Sequence, residues 1–261
     1  MYEAECRPRL AATLPERHMA KRMLRMALIP ESQVDARTAP IYQQYPDVDT
    51  TILAGSGEIQ LHFVCTKPSA IEAQRRVDEL AEKVEQEMAE AIFSSHGESL
   101  EETVLLMLGL RHMTLAAAES CTGGLLAERL TSVPGSSRYF LGGAVVYADR
   151  LKTTFAEVPA EMVSTHGPVS EPVARAMADG IRHRTGAAVG VGITGIAGPG
   201  PGAPGPDAEK PIGLVYVAIS FAGEGSAKVT ELHLTGDRER IRLWASQHAL
   251  EQLRRSLLER A

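Results

Sequence analysis

Beyond residue 98, strand-like and helix-like stretches alternate, which limits that part of this 261-residue chain to a layered α/β fold. A helix is expected at 99–111, a strand at 114–118 (TLAAA) and a helix from about 123 to 131. A strand at 141–147 (LGGAVVY) precedes helices near 149–155, 159–165 and 171–184. Residues 187–193 (AAVGVGI) read as a buried strand, 212–221 and 227–234 as a hairpin, and 237–259 as a closing helix. Crossover connections put helices on both sheet faces, and the late hairpin makes the sheet mixed. The expectation for residues 98–261 is a three-layer α/β/α domain.

Residues 1–97 read as a small α+β domain. Residues 1–14 are expected to be a frayed start. In 15–28 (PERHMAKRMLRMAL), Met19, Met23, Leu24 and Met26 recur near helical period, with Pro15 placed to open a helix. Strands at 49–54 and 58–64 flank Gly55-Ser56-Gly57 as a hairpin. A long helix follows at 69–92, capped by Ser69 and striped by Leu80, Val84, Met88 and Ile92, a core stripe. Ser94-Ser95-His96-Gly97 ends it and marks the domain boundary.

Composition narrows the functional classes. The chain is 44% hydrophobic and 23% charged, the balance of a folded globular protein. No apolar run approaches the roughly 20 residues that span a bilayer. The first residues lack the apolar stretch of a secretory signal, so no membrane association and a cytoplasmic location are expected. Three cysteines without CxxC spacing and eight histidines without HxH or HxxxH argue against a disulfide framework and a metal site. Residues 1–98 hold 11 Lys and Arg against 16 Asp and Glu, and residues 99–261 hold 16 against 17. Neither part has the basic surplus that favours nucleic acid.

The stretch Ala118-Glu119-Ser120-Cys121-Thr122-Gly123-Gly124 lies between a strand and a helix, where α/β proteins place ligand sites. Ser120 can present a hydroxyl there, and N–H groups around Thr122, Gly123 and Gly124 can hold an oxyanion. Ser120 or Thr122 can equally cap the helix, and the two roles are compatible. Cys121 ranks below Ser120 as a nucleophile, having no histidine beside it. Tyr147 ends a strand, and Lys152 falls one turn into the next element. A neutral lysine can serve as the base for a serine, though a solvated lysine and a strand-end tyrosine fit the spacing too.

Gly190, Gly192 and Gly195 spell GxGxxG after a strand, yet Gly198-Pro199-Gly200-Pro201 follows where a dinucleotide fold needs a helix. A ligand-facing loop, TGIAGPG, is expected instead, with Thr194 as a polar contact. The Pro/Gly segment 199–211 reads as a lid or an insertion. Asp237 suits the N-cap of the last helix. Arg238 and Arg242, four residues apart, can clamp a phosphate or form an exposed charged turn.

Taken together, AESCTGG (118–124), VPGSSRYF (133–140), VVYADRLK (145–152), HGPVSEPVARAMADG (166–180), ITGIAGPG (193–200) and GDRERIR (236–242) resemble the C-terminal domain of the CinA family. Residues 15–97 resemble that family's middle, KH-like domain. No GxxG loop occurs in them, so RNA binding is not carried over. Nothing in the sequence resembles the molybdopterin-binding-like domain with which full-length members begin, so its ADP-ribose pyrophosphatase activity is not expected.

The resemblance implies hydrolysis of the carboxamide of nicotinamide mononucleotide to nicotinate mononucleotide and ammonia, as in pyridine-nucleotide salvage. The implied machinery is Ser120 as nucleophile, Lys152 as base and Tyr147 as its partner. Thr122, Gly123, Gly124, Thr194, Gly195, Gly198, Arg238 and Arg242 then serve the substrate. No metal or cofactor is implied, the partner is a small pyridine nucleotide, and self-association is expected. Two departures stand out: the family has Tyr-Ser-Asn where this chain has Tyr147-Ala148-Asp149, and its loop after GIAGP is shorter with a Gly-Gly pair. Asp149 adds a carboxylate near Lys152, which favours a charged amine over a neutral one. The alternative expectation is therefore a nucleotide-binding module with weak or absent turnover.

Overall fold

The computed structural model describes residues 5–7, 9, 17–55, 57–198, 207 and 209–260. Most of the expected frayed start, the helix-opening Pro15, Ser56 of the hairpin turn, and 199–206 with 208 lie outside those residues. The chain divides into two compact units, Met1–Ser99 and Leu100–Ala261.

The first unit runs β1 (His18–Ala27), α1 (Glu31–Tyr42), β2 (Val48–Gly55), β3 (Glu58–Lys67), α2 (Ala70–Met88) and β4 (Ile92–Ser94). Its antiparallel sheet has the order β2-β3-β1-β4. The hairpin stands where the sequence puts it, and so does the start of the long helix, where Ser69 accepts the Glu72 N–H as cap; the helix ends at Met88, before the expected 92, and Ile92 opens β4 in place of closing the helical stripe. The expected helix at 15–28 is instead the strand β1. Met19, Met23 and Met26 fit a helical stripe on paper, but burial follows the two-residue period of Ala20, Leu24 and Met26, and Met19 is exposed. Between them, Arg22 donates to Asp78 and Glu85 of α2, and Arg25 to Glu58 of β3. The helix α1 and the short strand β4 were absent from the sequence expectation. A core of Leu24, Met26, Leu61, Phe63, Leu80 and Val84 fills the space between sheet and helices.

The second unit runs α3 (Leu100–Leu110), β5 (Leu115–Glu119), α4 (Leu125–Thr131), β6 (Phe140–Val145), α5 (Asp149–Ala156), α6 (Ala160–His166), α7 (Glu171–Thr185), β7 (Val189–Gly195), β8 (Leu214–Phe221), β9 (Lys228–His233) and α8 (Arg238–Leu258). Sheet order is β6-β5-β7-β8-β9. The β5 strand pairs in parallel with β6 and β7, while β7-β8-β9 is antiparallel. Helices α5, α6 and α7 pack together on one side, and α3, α4 and α8 on the other. This is a three-layer α/β/α domain with a mixed sheet.

The layers approach closely because glycine lets them. A Cβ on Gly190 would stand 2.1 Å from the Ala178 carbonyl oxygen of α7, and one on Gly192 would stand 2.5 Å from that of Ala174. The GxGxxG spelling is thus a packing seam of β7 against α7, and no helix opens at its third glycine. On the edge of the chain order, β5 sits between β6 and β7, so the connections leaving β5 and β6 depart in opposite directions. Crevices for ligands form at the strand ends of such a switch point.

Candidate active site

The parallel strands β5, β6 and β7 all end on one side of the sheet, and a cavity of about 280 Å³ opens just beyond them. Ser120 and Cys121 follow β5, Tyr147 follows β6, and Gly195–Gly198 close β7. Asp149 and Lys152 come from α5, Pro168 and Val169 from the turn before α7, and Arg238 from the first residue of α8. Backbone bonds fix the floor: the Ser120 N–H donates to the Ile193 carbonyl at 2.9 Å, and the Val146 N–H to the Glu119 carbonyl at 2.7 Å.

Lys152 is the most unusual group here, with a side chain only 2% exposed in the second turn of a helix. Burying an ammonium without a partner is costly, and its partner is the Asp149 carboxylate, 2.8 Å away and 56% exposed at the mouth. Tyr147 is also at the mouth, and its hydroxyl accepts a 2.6 Å hydrogen bond from Arg238 Nη2. The Arg238 stem lies over Gly198, where a Cβ would come within 3.2 Å of it. A phenol held as acceptor keeps its own proton free to donate into the cavity.

Burial pushes the Cys121 thiol up to about 12, helped by the nearby Glu119 carboxylate. At neutral pH it is a thiol, which is a poor nucleophile.

The structure brings Ser120, Tyr147, Lys152, Gly195, Gly198 and Arg238 to one cavity, and does not bring Thr122, Gly123, Gly124, Thr194 or Arg242 to its lining. Each absence has a physical reason. The Gly123 N–H donates to the Ser120 carbonyl, and the Gly124 N–H to the Glu119 carboxylate, so neither is left for an oxyanion. Thr194 is fully buried and its hydroxyl donates to the Pro168 carbonyl. Arg242 donates from Nε and Nη2 to the Thr122 carbonyl, at 3.2 and 2.7 Å. Neither Ser120 nor Thr122 caps α4; its N-cap is Gly124, in the left-handed conformation at φ 96°.

Two groups were missed. Glu119, 1% exposed, accepts the N–H groups of Gly124, Leu126 and Ala127 and caps α4 in place of a local side chain. A lone carboxylate closing the apolar run of β5 was the available signal. Asp207 and Lys210 clasp the cavity wall: Asp207 accepts the Val169 N–H, and Lys210 donates to the Val169 and His166 carbonyls. Among the described residues, no group of three or more His, Cys, Asp or Glu side chains could hold a metal ion. No helix among them is long and apolar enough to cross a membrane.

Fold and site together define a three-layer α/β domain with a small cavity at its strand ends, lined among others by Ser120 and the buried Lys152. The CinA C-terminal domain family matches residues 97–257. A CinA-like protein of Acidobacterium capsulatum is 53% identical over 258 residues, which is 99% of this chain and 61% of the relative. One from Koribacter versatilis is 50% identical over the same shares. Among solved structures, the competence/damage inducible protein CihA from Agrobacterium tumefaciens is similar at 36% identity and a TM-score of 0.56, over 61% of this chain and 93% of that one. A CinA superfamily protein from Escherichia coli follows at 31% and 0.55, over 59% and 87%. This chain belongs to the CinA family. It spans about three-fifths of the length of the curated relatives it matches.

Proposed function

We propose that this chain hydrolyses the carboxamide of nicotinamide mononucleotide to nicotinate mononucleotide and ammonia, by a serine nucleophile with a lysine base. The observation that carries this is the shared cavity: a buried amine, Lys152, opens onto the same space as Ser120. Ser120 Oγ attacks the amide carbon and passes its proton to the Lys152 amine, forming a tetrahedral intermediate. An oxyanion forming there needs N–H donors from the loop that carries Ser120. Tyr147 or Lys152 returns a proton to the nitrogen, and ammonia leaves as the C–N bond breaks. Water, deprotonated by the same amine, then cleaves the acyl-serine, which restores Ser120 and frees the carboxylate product.

Arg238 stands at the mouth, where a guanidinium suits the substrate phosphate. Gly195 and Gly198 line the same cavity, Gly198 lying beneath the Arg238 stem. The substrate is a small cytoplasmic pyridine nucleotide under this reading, and self-association of the chain goes with it. The test is ammonia release from nicotinamide mononucleotide by the wild type, Ser120→Ala and Lys152→Ala. Turnover by the wild type and its loss in both variants is expected; undiminished activity in either removes the role assigned to that residue.

One observation favours a second reading. The Asp149–Lys152 ion pair holds the amine in the interaction that suits its charged form, and a charged amine accepts no proton. A nucleotide-binding module without turnover would give saturable binding in calorimetry and no ammonia.

A further inference from the structure

Ser120 sits on a five-residue loop between β5 and α4 that is tied from two sides by opposite charges. From inside, the buried Glu119 carboxylate takes three N–H groups across the loop, those of Gly124, Leu126 and Ala127, at 3.1, 3.0 and 2.8 Å. From α8, the Arg242 guanidinium grips the Thr122 carbonyl with two donors. A carboxylate withdrawn from water this completely is tolerated only when its lone pairs are filled. Gly124, the helix N-cap, has no side chain to offer, so an alanine-like residue at 119 would leave the first turn of α4 uncapped.

We propose that Glu119 and Arg242 are positioning residues for Ser120, the first tying the end of β5 to the first turn of α4 and the second holding the middle of the loop, so that the hydroxyl keeps a fixed geometry at the cavity. This rests on Ser120 being the nucleophile of the proposed reaction. It also gives Arg242 a different duty from Arg238: its Nε and Nη2 donate to the protein's own backbone, four residues from a guanidinium that reaches the cavity. Displacement of a reacting group by about 1 Å is enough to cost orders of magnitude in rate, while leaving the substrate's binding contacts in place.

The experiment compares this chain as wild type, Glu119→Gln and Arg242→Met at a temperature where circular dichroism shows each folded. Two rates are read: turnover of nicotinamide mononucleotide, as kcat and KM, and phosphonylation of Ser120 by a fluorophosphonate probe, followed by mass spectrometry. Both variants are expected to lose about tenfold or more in kcat and in labelling rate with KM within about twofold. Arg242→Lys, which keeps one donor for the Thr122 carbonyl, is expected to recover part of both. If Glu119→Gln does not fold, Arg242→Met carries the test, because Arg242 is only partly buried whereas Glu119 is 1% exposed. Labelling and kcat within about twofold of wild type in the folded variants overturn the proposal. So does a raised KM at unchanged kcat in Arg242→Met, which would return that residue to substrate binding. If the wild type is labelled at Ser120 but releases no ammonia, the substrate proposed above fails and the labelling series alone decides the brace. A wild type unlabelled at Ser120 overturns both.

Discussion

Lys152 Nζ lies 2.8 Å from Asp149 Oδ1, three residues earlier on the same helix, with the lysine buried and the aspartate half in water. The pair solves a folding problem and, for the reaction proposed above, creates a catalytic one. A carboxylate at the mouth lets an amine be buried, yet it attracts the ammonium and offers a neutral amine nothing comparable. The exposure of the carboxylate lets water screen part of that attraction. Asp149→Asn keeps a hydrogen-bonding side chain for Lys152 and removes the charge. The variant is expected to release ammonia about two- to fivefold faster at pH 7.5. A steady-state ammonia assay at one pH checks it; a slower variant would mean that the carboxylate serves the reaction.

Cys121 shares the cavity with Ser120, and its chemistry can be separated from that of Ser120 by pH. Burial has pushed its thiol up to about 12. A raised thiol value means the thiolate is scarce below that pH and grows only as pH climbs toward it. Iodoacetamide at pH 7.5 is therefore expected to modify the exposed Cys6 and to spare Cys121. Peptide mass spectrometry reads both sites in one digest. Rapid loss of free Cys121 at that pH would reopen the thiol as a nucleophile.

How far the sequence predicts this molecule depends on whether a signal is local. The alternation after residue 98 is local, and helices and strands from α3 to α8 stand where it puts them. The β1 error shows the opposite case: a strand flanked by β3 and β4 takes its period from partners distant in sequence, and three methionines happened to match a helix. The site divides in the same way. Ser120, Tyr147 and Arg238 reach the cavity because each begins or follows an element whose end was legible, and Lys152 because it lies one turn into α5, whose start was legible too. Arg242 and Thr194 do not, because their donors are claimed by carbonyls 120 and 26 residues away, and no spacing rule announces such a partner.

Gly192 tests the packing account of the glycine motif. A methyl there would stand 2.5 Å from the Ala174 carbonyl oxygen and 2.7 Å from the Ala178 nitrogen, both backbone atoms of α7. Neither can swing aside as a side-chain tip would. Gly192→Ala is expected to destabilise the second unit by about 1–3 kcal/mol, the usual cost of overpacking a core. Urea unfolding followed by the fluorescence of Trp244, in α8 of the same unit, reads the shift in midpoint. An unchanged midpoint would mean that β7 and α7 separate more easily than their contact implies.

The cavity wall at Pro168 and Val169 offers a final prediction, about binding. Asp207 Oδ2 accepts the Val169 N–H at 2.9 Å, and Lys210 Nζ donates to the Val169 carbonyl at 2.6 Å while pairing with Asp207 at 2.6 Å. Thr194 holds the Pro168 carbonyl from the sheet side. The turn before α7 is thus gripped from two directions, and only the Asp207–Lys210 side can be removed without touching β7. Asp207→Ala leaves Val169 without its acceptor and Lys210 without its ion pair, so the wall loosens while Ser120 and Lys152 stay on their own elements. A wall that shapes the pocket without meeting the reacting atoms changes binding of ground state and transition state alike. The expected result is a KM for nicotinamide mononucleotide raised several-fold with kcat within about twofold. A fall in kcat at constant KM would instead put the clasp among the groups that set the nucleophile's geometry.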